Sequence, residues 1–378
     1  MGSGKHKKTI VFSGINLFEG GPLSIYYDCL DAIKDLGIWK DNTVIAFVHK
    51  KELFLKYEGI VRIIELPKSR KNYINRIYYE YFYFNNFSKK RDIDIWISLH
   101  DMTPRVKARR LYTYCHNPTP FMKKDIRKVK YSLRNVLMSY FYKFLYRINI
   151  KSADGIIVQS DWMREAFLKL FPIKNVIVAR PSVDIHFDES ENICKKDRRP
   201  DNECKVFIYA SFPRFFKNFE IICEACNEID KKENFEYEVW LTIDGSENKY
   251  ASDIYKKYNN NKHIRWLGIQ RRDNLFEIYK QTDCMIFPSK LETWGLPISE
   301  YKLTGRDMLI VDLPYSHETL GSYDKVMFFG EDDYKCLAKE MVQVIQGTQQ
   351  YQPQITKEVR EPYAADWNEL LTLIMQGG

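Results

Sequence analysis

The sequence predicts an α/β fold of two Rossmann-like, doubly wound halves, each built on a parallel sheet. Three observations carry that expectation. Short apolar strands alternate with helical stretches along most of the chain. A polar break lies near the middle. The length, 378 residues, exceeds what one hydrophobic core usually supports.

The first strand is Lys8–Gly14, KTIVFSG. A glycine-bearing loop, INLFEGG, leads into a helix from Pro22, with Leu23, Tyr26, Leu30 and Ile33 at three- and four-residue spacing. Further strands read at TVIAFVH, IDIWISL, LYTYCH, GIIVQS and NVIVAR. From Val183 to Cys204 the periodicity gives way to VDIHFDESENICKKDRRPDNEC, the composition of a linker. The alternation then restarts at KVFIYA and continues through EVWLTI, IRWLG, CMIFPS and MLIVD. The expected organisation is therefore a first Rossmann-like domain over 1–184, a linker over 185–204 and a second Rossmann-like domain over 205–360. A C-terminal helix within 361–378 could pack on either half.

With 45% hydrophobic and 29% charged residues, the chain can bury a sizeable core, which excludes a disordered or fibrous protein. Eight cysteines are scattered, several inside apolar runs, the usage expected of buried thiols in a reducing compartment. Cys223 and Cys226 form a C-x-x-C, but no second pair stands at zinc spacing, so they read as helix core. MGSGKHKK leads into a short strand rather than an apolar signal segment. No 18-residue apolar run occurs. A cytoplasmic protein, soluble or peripheral on a membrane, is expected.

The net charge of +8 is unevenly placed. Residues 68–91 hold seven basic residues against Glu80 alone, and residues 122–150 hold eight against Asp125 alone. Both stretches interleave Tyr and Phe with Lys and Arg. That mixture suits an anionic membrane surface, a nucleic acid, or the solvated face of an ordinary helix. No recognisable nucleic-acid module accompanies it, so none is expected as a partner.

The densest chemical signal is PSKLETWGLPISE, Pro288 to Glu300. It reads as the end of a strand, a turn over Lys290–Leu296, and a helix whose first position is Pro297, with Glu300 in the first turn. A helix start with a nearby glycine at the carboxyl end of a parallel strand is a natural diphosphate cradle. Glu292 and Glu300 flank it, and each can accept hydrogen bonds from sugar or ribose hydroxyls.

This segment resembles the E-x7-E signature of the retaining family 4 glycosyltransferases, whose fold is two facing Rossmann-like domains with a donor cleft between them, the GT-B arrangement. The resemblance extends through Gly20–Gly21, ADGIIVQSDWMREAF, SFPRFFKN and IRWLGIQRRDNLFEIYKQTDCMIFPS. It implies that Glu292 holds donor-sugar hydroxyls, that the backbone at Thr293, Gly295 and Leu296 meets the diphosphate, and that Glu300 holds the ribose. Arg214 and Lys217 fall where the family places cations for the departing phosphate, although they are three apart where the family has Arg-x4-Lys. Gly20 and Gly21 match the loop that approaches the donor from the first domain, here the acceptor side. His116, at the end of LYTYCH, matches a histidine often found near the donor sugar. His100 and Asp101 end the preceding strand and form a second candidate pair.

The expected catalytic residues are Glu292, His116 and Lys217. No cofactor is expected besides the nucleotide-sugar substrate, and no metal. Asp92-Ile-Asp94 spells D-x-D but precedes its strand, the wrong end for a metal at a sheet's carboxyl edge. The implied activity is retaining hexosyl transfer to a glycan or lipid-linked acceptor in surface polysaccharide biosynthesis. A sugar-nucleotide epimerase of the same fold and a nucleic-acid-binding protein are the alternatives.

Overall fold

A computed structural model describes residues 7–122, 140–181, 204–232 and 234–376. The expected linker, apart from Cys204, lies outside them, as do Cys194 and residues 123–139 of the second basic stretch. The described residues fall into two compact units, one comprising 7–122, 140–181 and 359–376, the other 204–358.

The first unit is built on an eight-stranded sheet in the order β14-β7-β6-β5-β4-β1-β2-β3, and every pairing is parallel. Its strands are β1 (Thr9–Ser13), β2 (Thr43–Val48), β3 (Arg62–Glu65), β4 (Ile95–Ser98), β5 (Arg110–Cys115), β6 (Gly155–Val158), β7 (Val176–Ala179) and β14 (Tyr363–Ala364). The central strands β4 and β6 are buried at every position, as expected where helices cover both faces of a parallel sheet. Behind β1 the Gly20–Asp35 helix buries Ile25, Tyr26, Cys29, Leu30 and Ile33. The Tyr26 ring lies so close to Gly14 that a Cβ there would be 2.4 Å from it, so a glycine ends this strand for reasons of packing.

The C-terminal segment returns to this unit. β14 pairs with β7 through Tyr363↔Val178 and Ala364↔Ala179. The Trp367–Gln376 helix then buries Trp367, Leu370, Leu371 and Ile374 in the same core as Cys29 and Tyr114, with Trp367 stacked on Tyr114 at 5.3 Å.

The second unit carries a six-stranded sheet, order β10-β9-β8-β11-β12-β13, again parallel throughout. Its strands are β8 (Lys205–Tyr209), β9 (Tyr237–Leu241), β10 (Ile264–Trp266), β11 (Cys284–Phe287), β12 (Asp307–Val311) and β13 (Val326–Phe329). Cys223 and Cys226 are buried in the Phe219–Asp230 helix. Burial pushes the Cys226 thiol up to about 12, as befits two core thiols. Strands β3, β13 and β14 are not among those read from the sequence. β3 has an exposed, half-buried, half-buried, exposed pattern, and β14 has only two residues, so neither leaves an apolar run to find. Among the described residues no helix is long and apolar enough to cross a membrane.

Candidate functional site

In an open parallel sheet, two neighbouring strands whose connections leave in opposite directions open a crevice at their carboxyl ends. In the second sheet that point lies between β8 and β11, because β8 runs on to β9 on one side and pairs with β11 on the other. The loop after β8 carries Arg214 and Lys217, and the loop after β11 carries Glu292 and Gly295.

The two loops are tied together. Lys290 N–H donates to the Phe216 carbonyl at 2.8 Å, and the Lys217 ammonium is ion-paired with Glu292 Oε1. The pair is mostly sheltered, with 16% of the lysine side chain and 14% of the glutamate exposed. Each loop is also anchored from behind. Tyr209 donates its hydroxyl to the Lys217 carbonyl at 2.8 Å, Asn248 Nδ2 donates to the Pro213 carbonyl at 2.7 Å, and Asn218 Nδ2 donates to the Glu331 carbonyl at 3.0 Å. On the other loop Tyr315 donates to the Ser289 carbonyl and Thr319 to the Trp294 carbonyl. Burial first, and the nearby Glu292 carboxylate second, push the Tyr209 and Tyr315 phenols well above their ordinary range. Both therefore stay neutral donors beside Glu292. These two tyrosines escaped the sequence reading, since each sits in or just past an apolar run and looks like core.

Gly295 takes a left-handed conformation, φ 96°, a region that costs other residues roughly 1–2 kcal/mol. From it the Leu296–Lys302 helix starts, with Pro297 at its second position rather than its first. The expected boundary was late by one residue, and Glu300 consequently lies beyond the first turn, which holds no acid. An acid placed merely to suit the helix dipole would sit in that first turn. Glu300 is instead buried at 6% exposure. The helix has seven residues, and the Lys217 ammonium brings a full positive charge to the turn from which it starts. Thr293 and Leu296 are half-buried on the same turn. Arg214 is exposed, its guanidinium 6.0 Å from the Phe216 ring centroid.

In the first sheet the corresponding point lies between β1 and β4. Gly20 and Gly21 open the helix after β1, exposed, with no atom within 4 Å of where a Cβ would stand. Packing therefore does not demand glycine at either. His116 follows β5 with 16% of its side chain exposed.

His100 and Asp101, expected to face a ligand, do not. Asp101 has φ 67°, and its Oδ1 accepts from His116 N–H at 2.9 Å, Asn117 N–H at 3.1 Å and the Tyr146 hydroxyl at 2.9 Å. It fixes the loop that carries His116. His100 is fully buried, its Nε2 3.1 Å from Glu80 Oε1, and its carbonyl accepts from the Arg76 guanidinium at 2.9 Å. Burial pushes the Glu80 carboxyl up to about 8 and His100 well below its ordinary value. The neutral forms, one proton between them, are the stable arrangement. A lone Glu in YYEYFYF gave no hint of this partner.

Asp92 and Asp94 also have other duties. Asp94 accepts from Thr9 N–H at 2.8 Å, and Arg109 bridges to both carboxylates, 2.8 Å from Asp92 and 3.6 Å from Asp94. The D-x-D thus stitches β1, β4 and β5 at their amino ends.

Residues 189–361 match the family described as glycosyl transferases group 1. No curated protein sequence matches the chain. Among solved structures, the lipopolysaccharide outer core galactosyltransferase WaaB in its apo form superposes with a TM-score of 0.62 at 13% identity, covering 91% of this chain and 92% of that one. WaaG, a glycosyltransferase involved in lipopolysaccharide biosynthesis, gives 0.61 at 13% identity, covering 89% and 90%. Anabaena HepE in complex with UDP-glucose gives 0.52 at 10% identity, covering 90% and 91%. At such identities the likeness is one of fold: two α/β units on parallel sheets, as in the GT-B glycosyltransferases.

Proposed function

We propose that this chain is a retaining, metal-independent hexosyltransferase that moves a sugar from a nucleoside diphosphate donor to a glycan or lipid-linked acceptor in surface polysaccharide biosynthesis. The observation that carries the reading is the meeting of Lys217 and Glu292 at the switch point of the second sheet. One anion-binding and one hydroxyl-binding group are held together where such sheets take their ligands. The group 1 family match over 189–361 supports it.

In this reading the donor diphosphate lies against the turn at Thr293, Gly295 and Leu296, and the Lys217 ammonium leaves Glu292 for the phosphate, joined by Arg214. Glu292, released, accepts from hydroxyls of the sugar, and Glu300 accepts from the ribose. The bond between the anomeric carbon and the phosphate oxygen breaks as the acceptor oxygen approaches from the same face. The acceptor proton passes to the departing oxygen, and Lys217 stabilises the charge that grows there. His116 orients a hydroxyl of donor or acceptor, and Gly20 and Gly21 let backbone approach. No cofactor takes part. The enzyme works in the cytoplasm, at the inner face of a membrane.

A thermal-shift series with UDP, GDP, ADP and TDP tests the donor site. A ligand at a hundred times its Kd stabilises the folded chain by about 2.7 kcal/mol, so one nucleotide should raise Tm clearly above the rest. Incubation with the matching nucleotide sugars then gives transfer or hydrolysis with retained configuration. Release of a free epimer would mean an epimerase instead, no nucleotide response would remove the donor site, and a glycosyl-enzyme trapped on Glu292 would overturn the same-face displacement.

A further inference from the structure

One helical segment of the first unit carries apolar side chains on its outer side as well as on its inner one. It runs through Tyr73–Tyr78, a π-helical turn at Tyr79–Tyr83, and Phe84–Lys89. Its inward positions, four apart, are Arg76, Glu80, Phe84 and Ser88, all buried. The outward positions are Ile74, Ile77, Tyr78 and Phe82, with Ile74 76% and Phe82 59% exposed. A water-soluble helix places its charges outward and its apolar stripe inward. Here Phe84 is buried in the core with Tyr79, Tyr83 and Phe87 packed against it, Arg76 and Glu80 are buried as well, and further apolar side chains still stand in solvent, where the Tyr78 and Phe82 rings stack on each other at 6.3 Å.

A second element extends the surface. The helix over 140–147 presents Tyr140 and Phe144, the latter 61% exposed. Tyr73 joins the two helices, its ring 5.5 Å from Phe141 and its hydroxyl 3.5 Å from that of Tyr142. Exposed large apolar residues scattered singly need no explanation, but a contiguous group does.

Along these two stretches the exposed charges have one sign. Of the seven basic residues in 68–91 only Arg76 is buried, so Lys68, Arg70, Lys71, Lys89, Lys90 and Arg91 flank the apolar stripe at both ends in solvent. The single acid of that stretch, Glu80, is fully buried. Residues 140–151 contain Lys143, Arg147 and Lys151 and no acid. An apolar, Tyr- and Phe-bearing face ringed by cations is complementary to a bilayer interface with anionic headgroups, where each nearby Lys or Arg contributes about 1 kcal/mol.

We infer that the face formed by Ile74, Ile77, Tyr78, Phe82, Tyr140 and Phe144 docks on an anionic phospholipid surface, the outward side chains entering the headgroup region and the flanking cations meeting lipid phosphates. This does not rest on the glycosyl-transfer reading, because docking is read without turnover. It gives the membrane location proposed above a defined surface.

The test is co-sedimentation of the full chain with vesicles of phosphatidylcholine alone and of phosphatidylcholine with phosphatidylglycerol, at low and high salt. The chain should bind the anionic vesicles at low salt, bind the neutral ones at least about tenfold more weakly, and be released by salt. The I74S/Y78S/F82S variant keeps every charge and should lose about tenfold or more of the binding, with Tm unchanged because these side chains are exposed. Phe82→Trp should shift its emission to the blue on anionic vesicles. Absence of binding at low salt, or equal binding by the triple variant, overturns the inference. So does a dimer of the wild-type chain that the triple variant converts to monomer without any vesicle binding, since the face would then belong to a second copy. Binding of a single-stranded oligonucleotide with no response to vesicles overturns it in favour of nucleic acid.

Discussion

Lys217→Met separates the catalytic from the structural share of the pair at the second switch point. The Lys217 ammonium is ion-paired with Glu292 and lies 5.9 Å from the Phe216 ring centroid, and both side chains of the pair are about five-sixths shielded. Removing the ammonium leaves a sheltered carboxylate without its cation, at roughly 1–3 kcal/mol. For a unit of this size that lowers Tm by several degrees, at about 2–4 °C per kcal/mol. If Lys217 also meets the charge growing on the departing phosphate, turnover falls by about 10²–10³, the effect of deleting one preorganised charge-stabilising group, or about 2.7–4 kcal/mol of barrier. The two consequences come apart in the double variant K217M/E292Q. With the unpaired charge gone, Tm should recover most of the loss while turnover stays low. The assay is initial rate on the donor identified by thermal shift, beside Tm for wild type, both single variants and the double. Turnover within about threefold of wild type in K217M, together with a lowered Tm, would show that the lysine is only a strut and refute the reasoning.

Four further outcomes follow from the geometry. Glu292→Gln should impair turnover more than nucleotide binding, while Glu300→Ala should weaken nucleotide binding itself, measured by the shift in Tm against nucleotide concentration; equal, small effects would place the site elsewhere. Stability should fall by about 2 kcal/mol as pH rises from about 6.5 to about 8. The buried Glu80–His100 pair still holds its proton across that range, with Glu80 pushed up to about 8, whereas the unfolded chain has lost both protons above 6.5, the ordinary histidine value. The slope should vanish in Glu80→Gln, followed by urea midpoints; an equal slope in that variant would assign it to other groups. Gly14→Ala forces a Cβ to 2.4 Å from the Tyr26 ring and should destabilise the first unit by about 1–3 kcal/mol. Gly21→Ala, which meets nothing within 4 Å, should leave the urea midpoint unchanged, so that any change in its turnover reports on the donor.

The parallel sheets were legible because nearly every central strand is an uninterrupted apolar run, as a strand covered on both faces must be. The crevice motif was legible because Glu292, Gly295 and Glu300 lie in one segment, between a strand and a helix that the sequence marks clearly. What the sequence did not yield depends on contacts between distant segments. Asp101 reads as half of a candidate crevice pair at a strand end, yet its carboxylate gathers donors from residues 116, 117 and 146. Glu80 reads as the sole acid on an aromatic helix, yet it turns inward to His100. Periodicity told that the helix around Glu80 was amphipathic but not that Arg76 and Glu80 would lie on its inner side, where His100 offers its carbonyl to one and its ring to the other. Helix starts were similarly ambiguous by one residue, since Pro297 is compatible with either of the first two positions, and that single step moved Glu300 out of the first turn.

The return of the C-terminal segment to the first sheet sets an order on biosynthesis. The sheet that begins with Thr9 is not complete until Tyr363 and Ala364 have been made, and its core awaits Trp367 through Ile374. The second unit, whose described strands all lie between Lys205 and Phe329, can finish on the ribosome first, while the earlier-made part waits with Tyr114 uncovered. Dissection of the chain should respect the same asymmetry. Residues 204–358 hold all the described strands of the second unit, whereas a fragment ending near residue 181 would lack both an edge strand and the helix that closes its core.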